Sequence, residues 1–443
     1  MVTPPPESGE ARRSVVIVSP YFPPSTLAGV HRARHLAKHL PGAGWNPIVL
    51  CVDEAFHADR LDPDLARLVP DCVEVVRTGA APAALMRRFG VGDVSLRAWP
   101  NLREALRRLA ARADVKAVMI TGSPYYPMVF APALRRLGLP VVLDFQDPWV
   151  SAWGAAQPAL GKAGLAHRLG TWLEPHALRG ASFVTSVSET QNRQLADRYA
   201  WLDPARMAAI PIGGDPDDFT ALAQGLAAAS PRIELEPGLA HFCYVGACLP
   251  RAAPLMRTLF RAFARLRAEQ PALAAGIRFT FVGTSNQPSA EARPVVLPLA
   301  AEEGVAEAVR EQPGRAPYLS ALDLLTRADA VLLIGSDEPH YTASKIYPAL
   351  MCGRPRLSLF HAASSAHGIL AAAGGGCAFA FDDAAQLADL EAPIAAALAR
   401  LASQPGGFAP PDPASFADYL APAIARRFGA IFDHVSAAGE QGR

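Results

Sequence analysis

The segment richest in candidate binding groups is 334–355, which reads I-G-S-D-E-P-H-Y-T-A-S-K-I-Y-P-A-L-M-C-G-R-P. An apolar run enters a polar loop, after which we expect Ser344 to be the N-cap of a helix and Lys345 to stand in its first turn. Free backbone amides, a hydroxyl and an ammonium would then converge, an arrangement that binds anions. The alternative is a plain N-cap beside a solvated lysine. A cation is disfavoured at that end of a helix, so the pattern favours a bound anion.

A second candidate anion site follows the apolar run 241–245. Gly246 comes directly after this run, and Arg251 stands a few residues later, at the start of a predicted helix. A glycine turn that feeds a helix, together with a cation, is suited to a diphosphate. The alternative interpretation is a turn glycine with a solvated arginine.

The first half of the chain carries two further polar loops. The loop after 14–19 contains Gly29, which permits close approach of a ligand to the backbone, and then His31 and Arg32 in the first turn of a helix. The alternative is an ordinary βα loop.

The segment 143–149, L-D-F-Q-D-P-W, places Asp144 and Asp147 just past another apolar run. Carboxylates there can accept hydrogen bonds from hydroxyls. Asp147 is expected to face a ligand, whereas Asp144 could instead cap a local turn.

The elements that must position these loops alternate between apolar runs and helical patterns. Such alternation is typical of parallel sheets covered on both faces by helices, and ligands of these sheets bind beyond the carboxyl ends of the strands. The predicted fold is α/β, with two Rossmann-like doubly wound domains facing a cleft. Predicted strands are 14–19, 47–52, 73–77, 117–121, 141–144, 183–187, 208–212, 241–245, 278–282, 293–298, 330–335 and 356–360. Predicted domains are a flexible tail (1–13), an N-terminal domain (14–212), a linker (213–237), a C-terminal domain (238–410) and a returning C-terminal helix (411–443).

Composition and missing motifs exclude several classes of protein. The chain has 443 residues, a formal net charge of +1 and 51% hydrophobic residues, so neither overall polyanion binding nor a disordered chain is expected. No nucleotide fingerprint of the G-x-G-x-x-G or P-loop type occurs, and the six cysteines have no zinc spacing. Asp62-Pro63-Asp64 starts a polar helical stretch instead of ending an apolar strand, so no metal site is predicted there. The sequence predicts no membrane-spanning helix and no signal peptide, and indicates a cytoplasmic protein with reduced thiols.

Taken together, the motifs resemble those of GT-B fold glycosyltransferases of the family 4 type, which are retaining, sugar-nucleotide-dependent enzymes. The resemblance spans nearly the whole chain in the family's order. It is carried by V-I-V-S-P-Y-F-P-P-S-T-x-x-G-V-x-R near the N-terminus, D-F-Q-D-P-W, S-V-S-E at 186–189, I-P-I-G-G-D-P-D-D-F at 210–219, Y-V-G at 244–246 and S-K-I-Y-P-A-L-M-C-G-R-P at 344–355.

The resemblance implies that Gly29, Arg251 and Lys345 approach the donor diphosphate. With the loop patterns described above, the predicted diphosphate site is Gly29, Gly246, Arg251, Ser344 and Lys345. Nucleotide and sugar contacts would come from Glu338, His340 and Tyr347; Arg32 and Asp144 would lie on the acceptor side, and Asp147 and His31 would orient the acceptor as catalytic residues. The family's second glutamate, which binds the ribose, is replaced by Pro348, and its linker asparagine by Ile212, so the chain is placed in a divergent branch.

The expected function is transfer of a sugar from a nucleoside diphosphate sugar to an acceptor hydroxyl, in the biosynthesis of cell-surface glycan or polysaccharide, without a metal or other cofactor. Two alternatives stay open: a non-catalytic binding or scaffold protein, and a sugar-nucleotide 2-epimerase. The expected partners are the nucleotide sugar and a glycan or lipid-linked acceptor, and no nucleic acid. Peripheral contact with the inner face of the cytoplasmic membrane also stays open. Arg103, Arg107, Arg108 and Arg112 lie on one predicted helix face that is expected to be solvated.

Overall fold

The computed structural model describes residues 13–27, 29–57, 61–226, 231–285, 287, 291–338 and 344–441. The strands are β1 (Ser14–Val18), β2 (Asn46–Val52), β3 (Glu74–Thr78), β4 (Val115–Gly122), β5 (Val141–Phe145), β6 (Phe183–Ser186), β7 (Met207–Ala209), β8 (Ala240–Val245), β9 (Ile277–Val282), β10 (Val309–Gln312), β11 (Ala330–Ile334), β12 (Arg356–His361) and β13 (Gly376–Phe381).

The α-helices alternate with these strands, as a parallel sheet requires. They are α1 (Val30–His39), α2 (Pro63–Arg67), α3 (Ala83–Arg87), α4 (Val94–Arg97), α5 (Trp99–Ala110), α6 (Ala131–Arg136), α7 (Ala152–Ala155), α8 (Lys162–Arg179), α9 (Glu189–Arg198), α10 (Pro216–Ala223), α11 (Ala253–Glu269), α12 (Pro271–Ala275), α13 (Leu297–Glu302), α14 (Tyr318–Arg327), α15 (Ile346–Met351), α16 (Ser365–Ala373), α17 (Glu391–Ser403) and α18 (Ala421–Gln441).

The chain forms two compact units. The first comprises Met1–Ala58, Val69–Pro211 and Ile424–Arg443, and the second comprises Asp59–Leu68 and Ile212–Ala423. The short segment that contains α2 therefore groups with the second unit, whereas the sequence placed it within the N-terminal domain. A helix cap links this segment to the second unit: the Asp62 carboxylate accepts a hydrogen bond of 2.7 Å from the backbone N–H of Tyr318 at the start of α14.

The first unit is built on a parallel sheet of strand order β3-β2-β1-β4-β5-β6-β7. Successive residues of β1 feed two separate cores, Val16 and Val18 on one face and Val15 and Ile17 on the other. Both faces are thus covered, as the uninterrupted apolar sequence of the strand indicates. In the second core Phe428 and Phe432 of α18 pack beside Val15, so the C-terminal helix contributes to this unit's interior.

The second unit has a parallel sheet of order β10-β9-β8-β11-β12-β13. One predicted strand was wrong: 293–298 forms no strand, and α13 begins at Leu297. The Glu311 carboxylate accepts hydrogen bonds from the backbone N–H groups of Val295, Val296 and Leu297, which fixes this stretch as a helix start. The actual neighbouring strand is β10, which the sequence analysis missed together with β13.

Two further predictions concern the cysteines and membrane-spanning helices. All six cysteines are free thiols, and burial raises the pKa of Cys51 and Cys243 to about 12. Among the helices of the described residues, none has the length and apolar character needed to cross a membrane.

Candidate functional site

In the second unit, the turn after β8 is shaped by a glycine. Gly246 has a φ of +122°, a conformation that side-chain-bearing residues rarely adopt, and its N–H donates to the Val282 carbonyl over 2.9 Å. A Cβ at Gly246 would also lie 3.6 Å from Cδ of Lys345. The predicted glycine turn and the predicted lysine are therefore brought together at the carboxyl end of the sheet.

Lys345 is held over an aromatic ring that the sequence analysis had not chosen as a site residue. Its Nζ donates to Tyr244 Oη over 2.5 Å and lies 4.1 Å from the centroid of the Tyr244 ring. Tyr244 Oη in turn donates to the Ala247 carbonyl over 2.9 Å, so its position is fixed. Desolvation lowers the pKa of Lys345 from its ordinary 10.5 to about 8. Within the described part of the chain no carboxylate pairs with this ammonium.

Arg251 lies in the turn between β8 and α11 and meets the polar loop that follows β11. Its Nε lies 2.6 Å from Asp337 Oδ1, and its Nη1 lies 3.0 Å from Glu338 Oε1. The strands β8 and β11 are neighbours in the sheet, which is why these loops meet. The hydrogen bond to Asp337 raises the pKa of Arg251. The Arg251 side chain is 57% exposed, so the guanidinium stays accessible to a ligand.

The helix after this loop begins differently from the prediction. The N-cap position of α15 is Lys345, which makes no side-chain capping bond, and Ser344 is an exposed residue that precedes it. Ser344 is therefore not the capping side chain that the sequence predicted. Tyr347 is buried and packs against Tyr419 with ring centroids 5.8 Å apart, so it supports the helix instead of facing solvent. His340 lies outside the described residues.

In the first unit, the loop after β1 is fastened to the end of β5 by Gln146. Its Nε2 donates to the Gly29 carbonyl over 3.1 Å and to Thr121 Oγ1 over 2.7 Å. A Cβ at Gly29 would lie 3.5 Å from Gln146 Oε1. Gln146 was not among the predicted site residues, although it lies inside the D-F-Q-D-P-W motif that could have indicated it.

His31 is a neutral hydrogen-bonding group. Its Nδ1 lies 3.3 Å from Arg34 Nη2, and because a guanidinium only donates, Nδ1 accepts and the proton is on Nε2. Burial and the charge of Arg34 lower the pKa of His31 to about 3. His31 is therefore uncharged at neutral pH and is a poor general base.

Arg32 and Asp144 do not face a ligand as predicted. Both side chains are fully buried and form an ion pair of 3.1 Å. Asp144 also accepts hydrogen bonds from Thr121 Oγ1 at 2.8 Å and Thr185 Oγ1 at 2.7 Å, while Arg32 donates to the Pro211 carbonyl over 2.8 Å. The pair ties α1 to the ends of β4, β5 and β6, which is a structural role.

Asp147 keeps an exposed position on the loop after β5. Desolvation by the surrounding groups raises the pKa of its carboxyl. The Tyr125 hydroxyl donates to the Asp147 carbonyl over 3.0 Å, and the Tyr125 ring stacks on Trp149 with centroids 5.4 Å apart. The backbone of the loop is thus held by aromatic side chains.

A buried polar network supports the far end of this loop. Glu174 on α8 accepts hydrogen bonds from the Val150 N–H at 3.2 Å, from Arg198 at 2.5 Å and from the Tyr199 hydroxyl at 3.0 Å. Arg198 also donates to the Val150 carbonyl over 2.8 Å. The sequence analysis missed these residues because their partners are distant in the chain.

Comparison with known proteins agrees with this arrangement. Residues 28–213 match the family model of the glycosyl transferase 4-like domain. A D-inositol 3-phosphate glycosyltransferase of Geodermatophilus obscurus is 28% identical over 227 residues, which are 51% of this chain and 48% of that protein. One of Stackebrandtia nassauensis is 35% identical over 128 residues, 29% of this chain and 28% of that protein. The chain thus spans half or less of the length of these curated relatives.

Solved structures share the fold over almost the whole chain. Anabaena HepE in complex with UDP-glucose has a TM-score of 0.56 at 16% identity and covers 96% of this chain and 99% of its own. WaaG, a glycosyltransferase involved in lipopolysaccharide biosynthesis, has a TM-score of 0.52 at 13% identity, with 96% of this chain and 98% of its own covered. The chain has the GT-B fold of these structures, and its residues 28–213 resemble the glycosyl transferase 4-like domain.

Proposed function

We propose that this chain transfers a glycosyl group from a nucleoside diphosphate sugar to an acceptor hydroxyl with retention of anomeric configuration. The observation that carries the proposal is the Lys345 ammonium, which is desolvated beside the Gly246 turn and lacks a paired carboxylate among the described residues. A desolvated cation is costly unless it serves an anion. The complex of HepE with UDP-glucose supports a nucleotide sugar as that anion.

The reaction requires stabilisation of the negative charge that develops on the leaving group. As the glycosidic bond breaks, the diphosphate gains negative charge, and fixed cations that need no reorganisation stabilise it best. Lys345 is such a fixed cation, because its position over Tyr244 is set by packing and a hydrogen bond. No metal ion is part of this proposal, since the lysine and a neighbouring arginine supply the positive charge.

Arg251 is the proposed second cation. To bind a phosphate it must exchange its contacts with Asp337 and Glu338. An ion pair this exposed contributes only about 0–1 kcal/mol, so its loss costs little. The released Glu338 carboxylate is then available to accept hydrogen bonds from the ribose, the role that Pro348 cannot fill.

The acceptor is proposed to meet groups of the first unit. Asp147 would orient the acceptor hydroxyl. The leaving phosphate would take the acceptor proton, because His31, with a pKa of about 3, is too weak a base. We propose that the acceptor belongs to a cell-surface glycan pathway on the cytoplasmic side, for which WaaG offers the structural precedent.

A donor screen tests the proposal. Purified protein is incubated with UDP- and GDP-sugars, with and without lipid-linked acceptors, and release of UDP or GDP is measured. We expect acceptor-dependent release that is lost in Lys345→Met, a variant that keeps the length of the side chain without its charge. NMR of the product then reports the anomeric configuration, and inversion would contradict the proposed mechanism.

A non-catalytic binding protein is the second candidate, favoured by Pro348 within α15 and by the pairing of Arg251 with two carboxylates. It predicts no turnover with any acceptor, whether or not UDP or GDP binds in calorimetry. A 2-epimerase would instead convert the donor sugar without an acceptor, which the same NMR experiment detects.

A further inference from the structure

Over its first three turns the helix α8 exposes large apolar side chains and buries glycines. Leu165, Leu169 and Trp172 follow the spacing of one helix face, and Trp172 is 74% exposed. The opposite face, which packs onto the first unit, carries Gly170 and the charged Glu174, and its one large apolar residue there, Leu178, comes only in the last turn. Helices at a protein surface normally show the reverse pattern. Two further residues extend the exposed apolar surface, Trp153 on α7 at 69% and Leu160 before α8 at 86% exposure.

We call this surface the Trp172 face; it consists of Trp153, Leu160, Leu165, Leu169 and Trp172. Glycines determine that this face of α8 is directed away from the first unit's interior. A Cβ at Gly164 would lie 2.1 Å from the Pro158 carbonyl oxygen, and one at Gly154 would lie 2.6 Å from His167 Nδ1. The close packing of α7 and α8 thus requires glycine on the inner side and leaves the tryptophans and leucines outside.

Cations flank the Trp172 face, and acidic residues avoid it. At 100° per residue, Lys162 and Arg168 lie on either side of the stripe formed by the two leucines and Trp172. No Asp or Glu occurs between Asp147 and Glu174 in the sequence. Within the described part of the chain, neither Lys162 nor Arg168 forms an ion pair.

A second exposed segment adjoins the start of α8. A Cβ at Gly92 would lie 3.9 Å from Lys162 Nζ, so the loop that follows α3 approaches this lysine. That segment exposes Leu85 and Phe89, the latter at 73%, and carries Arg87 and Arg88 between them. It repeats the composition of the Trp172 face, which is apolar and basic.

We propose that the Trp172 face docks on an anionic lipid bilayer. An interfacial helix has this composition: tryptophan and leucine on the side that enters the headgroup region, and lysine and arginine flanking it to meet lipid phosphates. A symmetric dimer through the same face is disfavoured, because it would set the face against itself and oppose like charges. The arginines on α5 and just after it are mostly paired, Arg107 and Arg108 with Glu104 and Arg112 with Glu74 and Asp114.

The docking surface is coupled to the candidate site through Trp149. A Cβ at Gly170 of α8 would lie 3.0 Å from Trp149 Nε1, and Trp149 follows Asp147 by two residues. Because Gly170 is on the inner face of α8, docking of the outer face would hold the Asp147 loop one helix diameter, roughly 10 Å, from the membrane surface, within reach of a lipid-linked acceptor. This consequence rests on the proposed function, whereas the docking itself does not.

Vesicle sedimentation tests the inference. The full chain is mixed with vesicles of phosphatidylcholine alone or with added phosphatidylglycerol, at low and at high salt. We expect binding to the anionic vesicles that weakens at high salt, together with a blue shift of tryptophan emission. The triple change Leu165→Gln, Leu169→Gln and Trp172→Gln should lower the association constant for anionic vesicles at least about tenfold.

Two comparison variants separate the Trp172 face from general stickiness. Leu137→Gln alters an apolar side chain that is 60% exposed elsewhere on the first unit and should leave vesicle binding unchanged. Lys162→Glu with Arg168→Glu should abolish the preference for anionic lipid. All variants should keep the wild-type unfolding temperature and UDP affinity, which excludes misfolding.

Three outcomes would overturn the inference: no binding of the wild type to anionic vesicles at low salt, equal loss in the Leu137 variant, or wild-type dimers in light scattering that the triple variant dissociates. The last would assign the face to a second copy of the chain. Because vesicle binding needs no sugar donor, its failure would leave the proposed transferase activity untouched, and the converse holds.

Discussion

Replacing Lys345 by Met removes a buried charge. The lowered pKa of Lys345 gives the free energy by which that charge is disfavoured in the unliganded protein. Desolvation lowers that pKa from 10.5 to about 8, and at 1.36 kcal/mol per pKa unit the charged form is disfavoured by roughly 3 kcal/mol relative to water. A diphosphate that contacts Nζ would return much of this energy. Loss of the charge-assisted contact, about 1.5–3 kcal/mol, should weaken binding of UDP about 10- to 100-fold at pH 7.

The pH dependence gives the sharper test. A bound diphosphate raises the pKa of Lys345, so the free protein must take up a proton to bind once the pH exceeds about 8. Wild-type affinity should therefore be level near pH 7 and fall by about tenfold per pH unit above 8. Titration calorimetry with UDP at several pH values measures this, and Lys345→Met serves as the reference that cancels any titration of the nucleotide. Wild-type affinity in the variant, or the same slope in both proteins, would refute the assignment.

Stability of the unliganded chain should change in the opposite sense. The folded pKa of Lys345 lies below its unfolded value, so the unfolded chain binds more protons between about pH 8 and 10.5, and stability from this group rises across that window. Below pH 8 the burial penalty is present in full. Lys345→Met should accordingly unfold at the same or a higher temperature than the wild type at pH 7, which also shows that weaker binding is not caused by misfolding.

Three further predictions concern the other residues of the site. Asp144→Ala should destabilise the first unit by about 3–5 kcal/mol in urea titrations, because Arg32 is left buried and unpaired; a loss below about 1 kcal/mol would contradict the structural role. Gly246→Ala should cost about 1–3 kcal/mol of stability and weaken UDP binding, since the φ of +122° is strained for alanine, whereas unchanged binding would detach this turn from the donor site. Asp147→Asn should reduce turnover with little change in UDP affinity. Because the pKa of Asp147 is raised, wild-type activity should also fall with decreasing pH at values above the usual titration of an aspartate, and the asparagine variant should lack that limb.

The sheet framework was accessible from sequence because it depends on local pattern. All seven strands of the first unit were predicted within about three residues, since continuous apolar runs between helical segments have few other solutions. The errors fall where a distant partner decides. The stretch 293–298 contains β-forming residues, but Glu311, which follows it by more than ten positions, caps it as a helix start. The glycine at the start of β13 and the short polar β10 gave too weak a signal.

Partners distant in the sequence also decide the different roles of the cations Arg32 and Lys345. In the sequence, Arg32 and Lys345 look alike, since each follows a polar loop and stands at a helix start. Their environments differ because of residues far along the chain: Arg32 meets Asp144, which lies 112 positions away, whereas Lys345 meets the ring of Tyr244, 101 positions away. A carboxylate neutralises the first cation and makes it a structural element. An aromatic ring holds the second without neutralising it, and that difference directs the search for a bound diphosphate to Lys345.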